Sequence, residues 1–163
     1  MKRFGAYACF VLLACWPAVP AWAGQPQIGD PAPAINLPST NGKPVSLARF
    51  RGKPVYLDFF ASWCGPCNQE APSVGKLYTK YHGRGLQTMG IDELETPAKA
   101  KAFARKYQWK FPVLIDADGA LGPTYGALGL PVHVFIDRHG NISGYRLGEM
   151  DPSEIEAAIK RTI

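Results

Sequence analysis

The chain has 163 residues, 47% of them hydrophobic and 19% charged, and a formal net charge of +5. Its basic residues are scattered (Lys43, Arg49, Arg51, Lys53, then Lys99, Lys101, Arg105, Lys106, Lys110), which disfavours nucleic acid as a partner. With four cysteines and three histidines (His82, His133, His139) that lack zinc-finger spacing, a zinc ribbon is excluded and no metal site is expected.

The N-terminus reads as an export signal. Lys2 and Arg3 form a short positive region, Phe4 to Trp16 is almost wholly apolar, and Ala21-Trp22-Ala23 is an A-x-A-like cleavage site before Gly24. Pro17 and Pro20 break the run before it reaches the ~20 residues of a membrane span. Leu12-Leu13-Ala14-Cys15 resembles a bacterial lipobox, so a lipid anchor at Cys15 and an uncleaved anchor stand as alternatives to a cleaved soluble signal. The expectation is a signal peptide over 1–23, a single domain over 24–163 and a periplasmic location. Cleavage removes Cys9 and Cys15 and leaves Cys64 and Cys67. An exported domain with a single vicinal pair uses it for chemistry rather than scaffolding.

Residues 24–42 are rich in Pro and Gly and end in a predicted tight turn at Asn41-Gly42. Pro44–Leu47 reads as a short strand. Val55–Phe60 reads as a central strand, apolar on both faces except at Asp58. A helix follows from Gly65 to about His82, with a kink expected at Pro72. Leu86–Asp92 is the next strand. Thr96 caps a helix reaching Tyr107, with Pro97 in its first turn. Phe111–Ile115 is a short strand and Ala120–Ala127 a short helix. Val132–Asp137 and Ile142–Leu147 form a hairpin, and Asp151-Pro152-Ser153-Glu154 opens a last helix to about Thr162. This α/β alternation predicts a mixed sheet with helices on both faces.

The chemistry sits at Cys64-Gly65-Pro66-Cys67, where an apolar strand ends and a helix begins. Free N–H groups and a partial positive charge at a helix N-terminus favour thiolate over thiol. That is the setting for dithiol–disulfide exchange. Phe59-Phe60-Ala61-Ser62-Trp63-Cys64-Gly65-Pro66-Cys67 resembles the active-site signature of the thioredoxin superfamily. Gly29-Asp30-Pro31-Ala32-Pro33, Phe111-Pro112-Val113-Leu114-Ile115-Asp116 and Gly129-Leu130-Pro131-Val132-His133-Val134-Phe135-Ile136-Asp137 resemble its exported TlpA/ResA-like branch of thiol–disulfide oxidoreductases. The resemblance covers roughly residues 28–160. It implies a thioredoxin-like fold with a TlpA-type βα insertion around residues 86–115.

The resemblance also implies roles. Cys64 is the nucleophile and the more exposed thiol, Cys67 resolves, and the two form the redox disulfide. The Leu130–Pro131 bond is cis, and the backbone of Leu130 pairs with substrate near Cys64. Trp63, Gly65 and Pro66 complete the contact surface, with Trp63 also shielding the disulfide. Asp58, six residues before Cys64, is a lone carboxylate in an apolar strand, so its pKa should be raised and it could relay a proton behind Cys67. Thioredoxins proper usually add a lysine on the adjacent strand, and Leu86–Asp92 has none. A strand-end aspartate reached by water is the alternative. Glu70, three residues after Cys67, matches a glutamate that tunes ResA-like sites, or is an acid favoured by the helix dipole. His133 stands where the family often has Thr; an imidazole near the cis-proline could bear on thiolate stability if charged, but the favoured reading is a strand side chain, for want of a partner.

The function implied is reduction of client-protein disulfides, as in cytochrome c maturation or copper-site assembly. A membrane thiol reductant of the DsbD/CcdA type would supply electrons, without a bound cofactor, to a protein expected to act as a monomer. A disulfide donor or isomerase is the second reading. A copper-binding metallochaperone is a third, disfavoured because no His or Met ligand lies near the cysteines. A peroxidase would need Thr and Arg flanking its cysteine, which Ser62-Trp63-Cys64 does not supply.

Overall fold

The computed structural model describes residues 26–163. The expected signal, its cleavage site and the lipobox at Cys15 lie outside the described residues. The Asn41-Gly42 turn joins β1 (Asn36–Pro38) to antiparallel β2 (Pro44–Ser46). Gly42 has φ +79° and donates its N–H to the Ser39 carbonyl at 2.8 Å, a conformation that favours glycine. β2 stops at Ser46, one residue before the expected Leu47. There the Ser46 hydroxyl accepts from the Ala48 N–H and starts a 3-10 helix over Leu47–Phe50.

β3 (Val55–Phe60) is buried at every residue because it has a strand on each side and layers on both faces. It pairs parallel to β4 (Gln87–Glu93) and antiparallel to β6 (Val132–Ile136). With β5 (Val113–Asp116) and β7 (Ile142–Leu147) the sheet order is β5-β4-β3-β6-β7. Side chains alternate between faces along a strand. Tyr56 and Phe60 therefore join one core with α1 (Gly65–His82), α2 (Pro97–Lys106) and α3 (Pro152–Thr162). Val55, Leu57 and Phe59 join the other, closed by the β1–β2 hairpin and by 3-10 helices at Leu47–Phe50 and Gly122–Tyr125. Helices thus cover both faces, but the three α-helices of the described residues lie on one. Asp58, in phase with Tyr56 and Phe60, faces α1.

Helix α1 continues through Pro72 to His82. The segment 86–115 supplies β4, α2 and β5, the parallel wing of the sheet. Thr96 occupies the N-cap of α2, but its side chain makes no capping hydrogen bond, contrary to expectation; Pro97 starts the helix without needing an N–H partner. β5 begins two residues later than expected, at Val113, since Pro112 has no N–H for the ladder and only its carbonyl pairs, accepting from Gly90 at 3.0 Å. The expected helix at 120–127 shrinks to the 3-10 turn Gly122–Tyr125, ended by Gly126 at φ +68°. α3 opens as expected, with the Asp151 N–H donating to Glu154 Oε2 at 2.9 Å.

Candidate active site

β3 ends at Phe60, and four residues later Cys64 is the N-cap of α1, its Sγ accepting from the Cys67 N–H at 3.2 Å. Pro66 falls in the first helical turn, where an N–H would have no helical partner. Cys64 and Cys67 form a disulfide with Cα atoms 5.3 Å apart. Cys64 is not the distinctly more exposed of the two in this form: it is 4% exposed and Cys67 3%. The sulfur–sulfur bond turns both side chains inward against the core they share with Tyr56 and Phe60. Trp63 is 67% exposed, so much of its ring presents surface beside the cysteine loop.

The loop carrying Trp63 and Cys64 is tied down by residues that sequence reasoning passed over. Glu95, beyond the end of β4, accepts from the Ser62 N–H at 2.5 Å and from its hydroxyl at 2.8 Å. Burial pushes the Glu95 carboxyl up, but the Ser62 bonds and Lys99 outweigh it and hold the group below the usual glutamate range. Asn68 donates to the carbonyls of Ser62 (2.9 Å) and Cys64 (2.8 Å) and accepts from the Tyr107 hydroxyl (2.7 Å). It joins the loop, α1 and the end of α2. Asn68→Ala is expected to lower the stability of the oxidised protein by about 1–3 kcal/mol, read by urea denaturation, since the loop carbonyls lose their donors. An unchanged midpoint would mean that water replaces the amide without loss.

Two further carboxyl groups on β4 are raised, Asp92 beside this anchor and Glu93 beside Asp116. Asp92 is pushed up to about 8 by burial first and then by the neighbouring charge of Glu95. Glu93 is pushed up to about 8 by burial and by Asp116, which itself accepts from the N–H groups of Leu121 (2.9 Å) and Gly122 (3.1 Å). The sequence signal for both is the acidic run Asp92-Glu93-Leu94-Glu95 at the end of an apolar strand.

On the α1 face of β3 the structure brings Asp58 and Glu70 together with a residue read as a plain strand side chain. His133 is 0% exposed and lies opposite Asp58 in the β3–β6 register. Its Nδ1 is 2.8 Å from the Tyr56 hydroxyl and 3.8 Å from Asp58 Oδ1; its Nε2 is 3.2 Å from Glu70 Oε2. Glu70 Oε1 accepts from the Met150 N–H. His133 therefore has three polar partners, and the reading of it as an unpartnered strand residue is corrected. Pairing 55–59 against 132–136 is what reveals the contact. Burial pushes the Asp58 carboxyl up to about 7, with His133 pulling it down and Glu70 pushing it further up. Burial, then the charges of Asp58 and Glu70, raise the Tyr56 phenol well above its ordinary value. Asp58 is 4% exposed and not a strand-end group in open water.

The Leu130–Pro131 bond is cis. Pro131 precedes Val132, the partner of Phe59, so it lies at the same end of the sheet as the cysteine loop. Its carbonyl accepts from the Gly148 N–H at 2.9 Å. Leu128, two residues before Leu130, is 85% exposed.

Comparison with known proteins places this geometry. A model of the AhpC/TSA family matches residues 28–144. The thiol-disulfide oxidoreductase ResA of Bacillus thuringiensis subsp. konkukian is 36% identical over 135 residues, covering 83% of this chain and 78% of the relative. ResA of Bacillus subtilis is 31% identical over 136 residues, 82% of this chain and 76% of the relative. Among solved structures, one from Chlorobium tepidum assigned as a thiol:disulfide interchange protein DsbE superposes with TM-score 0.76 at 34% identity, over 84% of this chain and 96% of that one. A second Chlorobium tepidum protein, a thiol:disulfide interchange protein of the thioredoxin family, gives TM-score 0.74 at 28% identity, over 82% and 96%.

Proposed function

The chain belongs to the AhpC/TSA family and is a thioredoxin-fold protein-disulfide oxidoreductase of the ResA-like kind, and from this we propose that it is an exported reductase of client disulfides. Residues 1–23 are its export signal, 24–163 its working domain, and the periplasm its compartment. The observation that carries the proposal is the Cys64–Cys67 disulfide at the N-terminus of α1.

In the reduced form the Cys64 thiolate, favoured by the helix N-terminus, attacks one sulfur of a client disulfide. A Cys64–client bond forms, the client S–S bond breaks, and the released client thiolate takes a proton. Cys67 then attacks Cys64 Sγ, closing the disulfide seen here and freeing the second client thiol. Two electrons pass from the dithiol to the client. A membrane dithiol donor of the DsbD/CcdA type restores the reduced pair, a need that follows from a periplasm kept oxidising. Clients with paired cysteines, such as apocytochrome c or copper-site assembly proteins, fit this chemistry. Trp63, Gly65, Pro66 and the backbone of Leu130 form the surface that meets them, and the protein acts as a monomer.

Asp58 takes the proton that Cys67 must lose before it attacks. It lies on the face of β3 that α1 covers, in the layer that holds Cys67. With its carboxyl near 7, it is an acceptor above neutral pH and a donor below. Asp58→Asn is expected to slow the resolving step about 10²-fold at pH 8 and to remove the inflection near pH 7. Stopped-flow release of the client thiol measures both, and an unaltered pH profile would remove Asp58 from the mechanism.

The function is tested by mixing the reduced protein with a disulfide-bonded peptide carrying C-x-x-C-H, the c-type haem-attachment motif. Stoichiometric peptide reduction with closure of Cys64–Cys67 is expected. Transfer in the reverse direction, from oxidised protein to reduced peptide at equilibrium, would make the protein a disulfide donor instead.

A further inference from the structure

Relay chemistry at a buried carboxyl needs a defined resting charge, and two carboxyls within one apolar layer do not define it by themselves. Asp58 and Glu70 come from different elements, β3 and α1, and both are almost wholly buried. If both ionise with no cation between them, two like charges repel in a layer without solvent to screen them. The strand on the β4 side of Asp58 offers Gly90 at the matching register position, which has no side chain to supply charge. The group that does reach both carboxyls comes from the other side, on β6.

We propose that His133 is a positioning residue for the disulfide exchange: its imidazole stands between Asp58 and Glu70 and, acting at short range on both, sets the charge state that the two carboxyls present in the layer that holds Cys67. The geometry is that of a bridge. Nε2 lies 3.2 Å from Glu70 Oε2, and Nδ1 lies 3.8 Å from Asp58 Oδ1 on the opposite side of the ring. Nε2 makes no aligned hydrogen bond, so what joins it to Glu70 is charge at short range. Tyr56 fits either state of the ring. Its hydroxyl, 2.8 Å from Nδ1, can donate to a neutral imidazole or accept from an imidazolium. Glu70 is fixed from its far side by the Met150 N–H, so it cannot swing away as the proton moves.

Among the described residues no other charged group competes for the ring. β3 contributes Tyr56 and Asp58, and α1 contributes Glu70. On β7 the register partner is Arg146, whose side chain is in solvent. On α3, packed over the same face, Glu156 is engaged by Lys80, Tyr81 and Lys160. When Cys67 loses its proton, the cluster gains one and its charge changes by one unit, with His133 holding the two acids together in both states.

This rests on the proposed exchange chemistry, but its test separates the two. The carboxyl ¹³C shift of Asp58 is followed by NMR against pH in the wild type and in His133→Gln, which keeps a polar partner for Tyr56 and removes the imidazole. Loss of the imidazole, whose charge pulls the Asp58 carboxyl down, is expected to move the Asp58 inflection up by about one pH unit. The inflection in the rate of client reduction should move with it. An Asp58 inflection unmoved in folded His133→Gln overturns the proposal. Should His133→Gln fail to fold, His133→Asn takes its place, and an Asp58 inflection unmoved in that variant overturns the proposal. Carboxyl shifts as expected in a protein that reduces no client would leave the bridge standing and remove the reductase function.

Discussion

The Cys67→Ser protein is expected to accumulate as a mixed disulfide with its client through Cys64, and steady-state reduction is expected to fall by at least about 10³-fold. Cys64 sits at the N-cap of α1, with the Cys67 N–H on its sulfur. A hydroxyl at position 67 leaves that backbone donor in place, so the first attack survives. The second attack does not. In the wild type Cys67 is held within bonding distance of Cys64, and the intramolecular thiol outcompetes any thiol from solution. Without it, the Cys64–client bond waits for an external thiol. A non-reducing gel and intact mass should show one client per chain, released by dithiothreitol. Cys64→Ser should show none. An adduct on Cys67 in Cys64→Ser, and none on Cys64 in Cys67→Ser, would reverse the two roles.

Stability of the oxidised protein is expected to decline between pH 5 and 8.5, by at least about 2 kcal/mol. Three buried carboxyls are raised in the folded state: Asp58 to about 7, Asp92 and Glu93 to about 8. The unfolded chain releases these protons near pH 4, so above that pH the folded state holds more protons than the unfolded one. Stability then falls with rising pH. The contribution is complete below about pH 4 and lost as pH passes through 7 to 8. Glu95, lowered by Ser62 and Lys99, works in the opposite sense, but its window closes below about pH 5. Urea midpoints at pH 5, 7 and 8.5 measure the trend. Asp92→Asn, uncharged at every pH, should flatten it. Stability that is constant or rises over this range would mean that these carboxyls are ionised and solvated in the folded protein.

Much of this site is visible in one dimension. Cys64 and Cys67 announce themselves by spacing, and an apolar run ending in Pro66 at a helix start fixes where they sit. Asp58 stands out as the sole charge in a strand that must be buried on both faces. Asn41-Gly42 and Asp151–Glu154 carry turn and cap chemistry that acts over four residues. The parts that escape are those made by pairing of distant segments. His133 is 75 residues from Asp58 and becomes its neighbour only through the antiparallel register of β3 and β6. Glu95 reaches Ser62 across 33 residues because β4 runs parallel beside β3 and both end at the same edge. Asn68 looks like an ordinary helix residue until α2 brings Tyr107 to it. Thr96 shows the reverse case, a good capping residue whose hydroxyl does not cap.

The central claim is that Cys64 and Cys67 deliver electrons to clients, and the redox state of the pair in the living host tests it most directly. Cells are quenched in acid, free thiols are alkylated with a mass tag, and the protein is resolved by blotting. Predominantly reduced cysteines, shifting to the disulfide when the membrane donor is deleted, are the predicted result. A pair that is predominantly oxidised with the donor intact would contradict the reductase function and make the protein a source of disulfides.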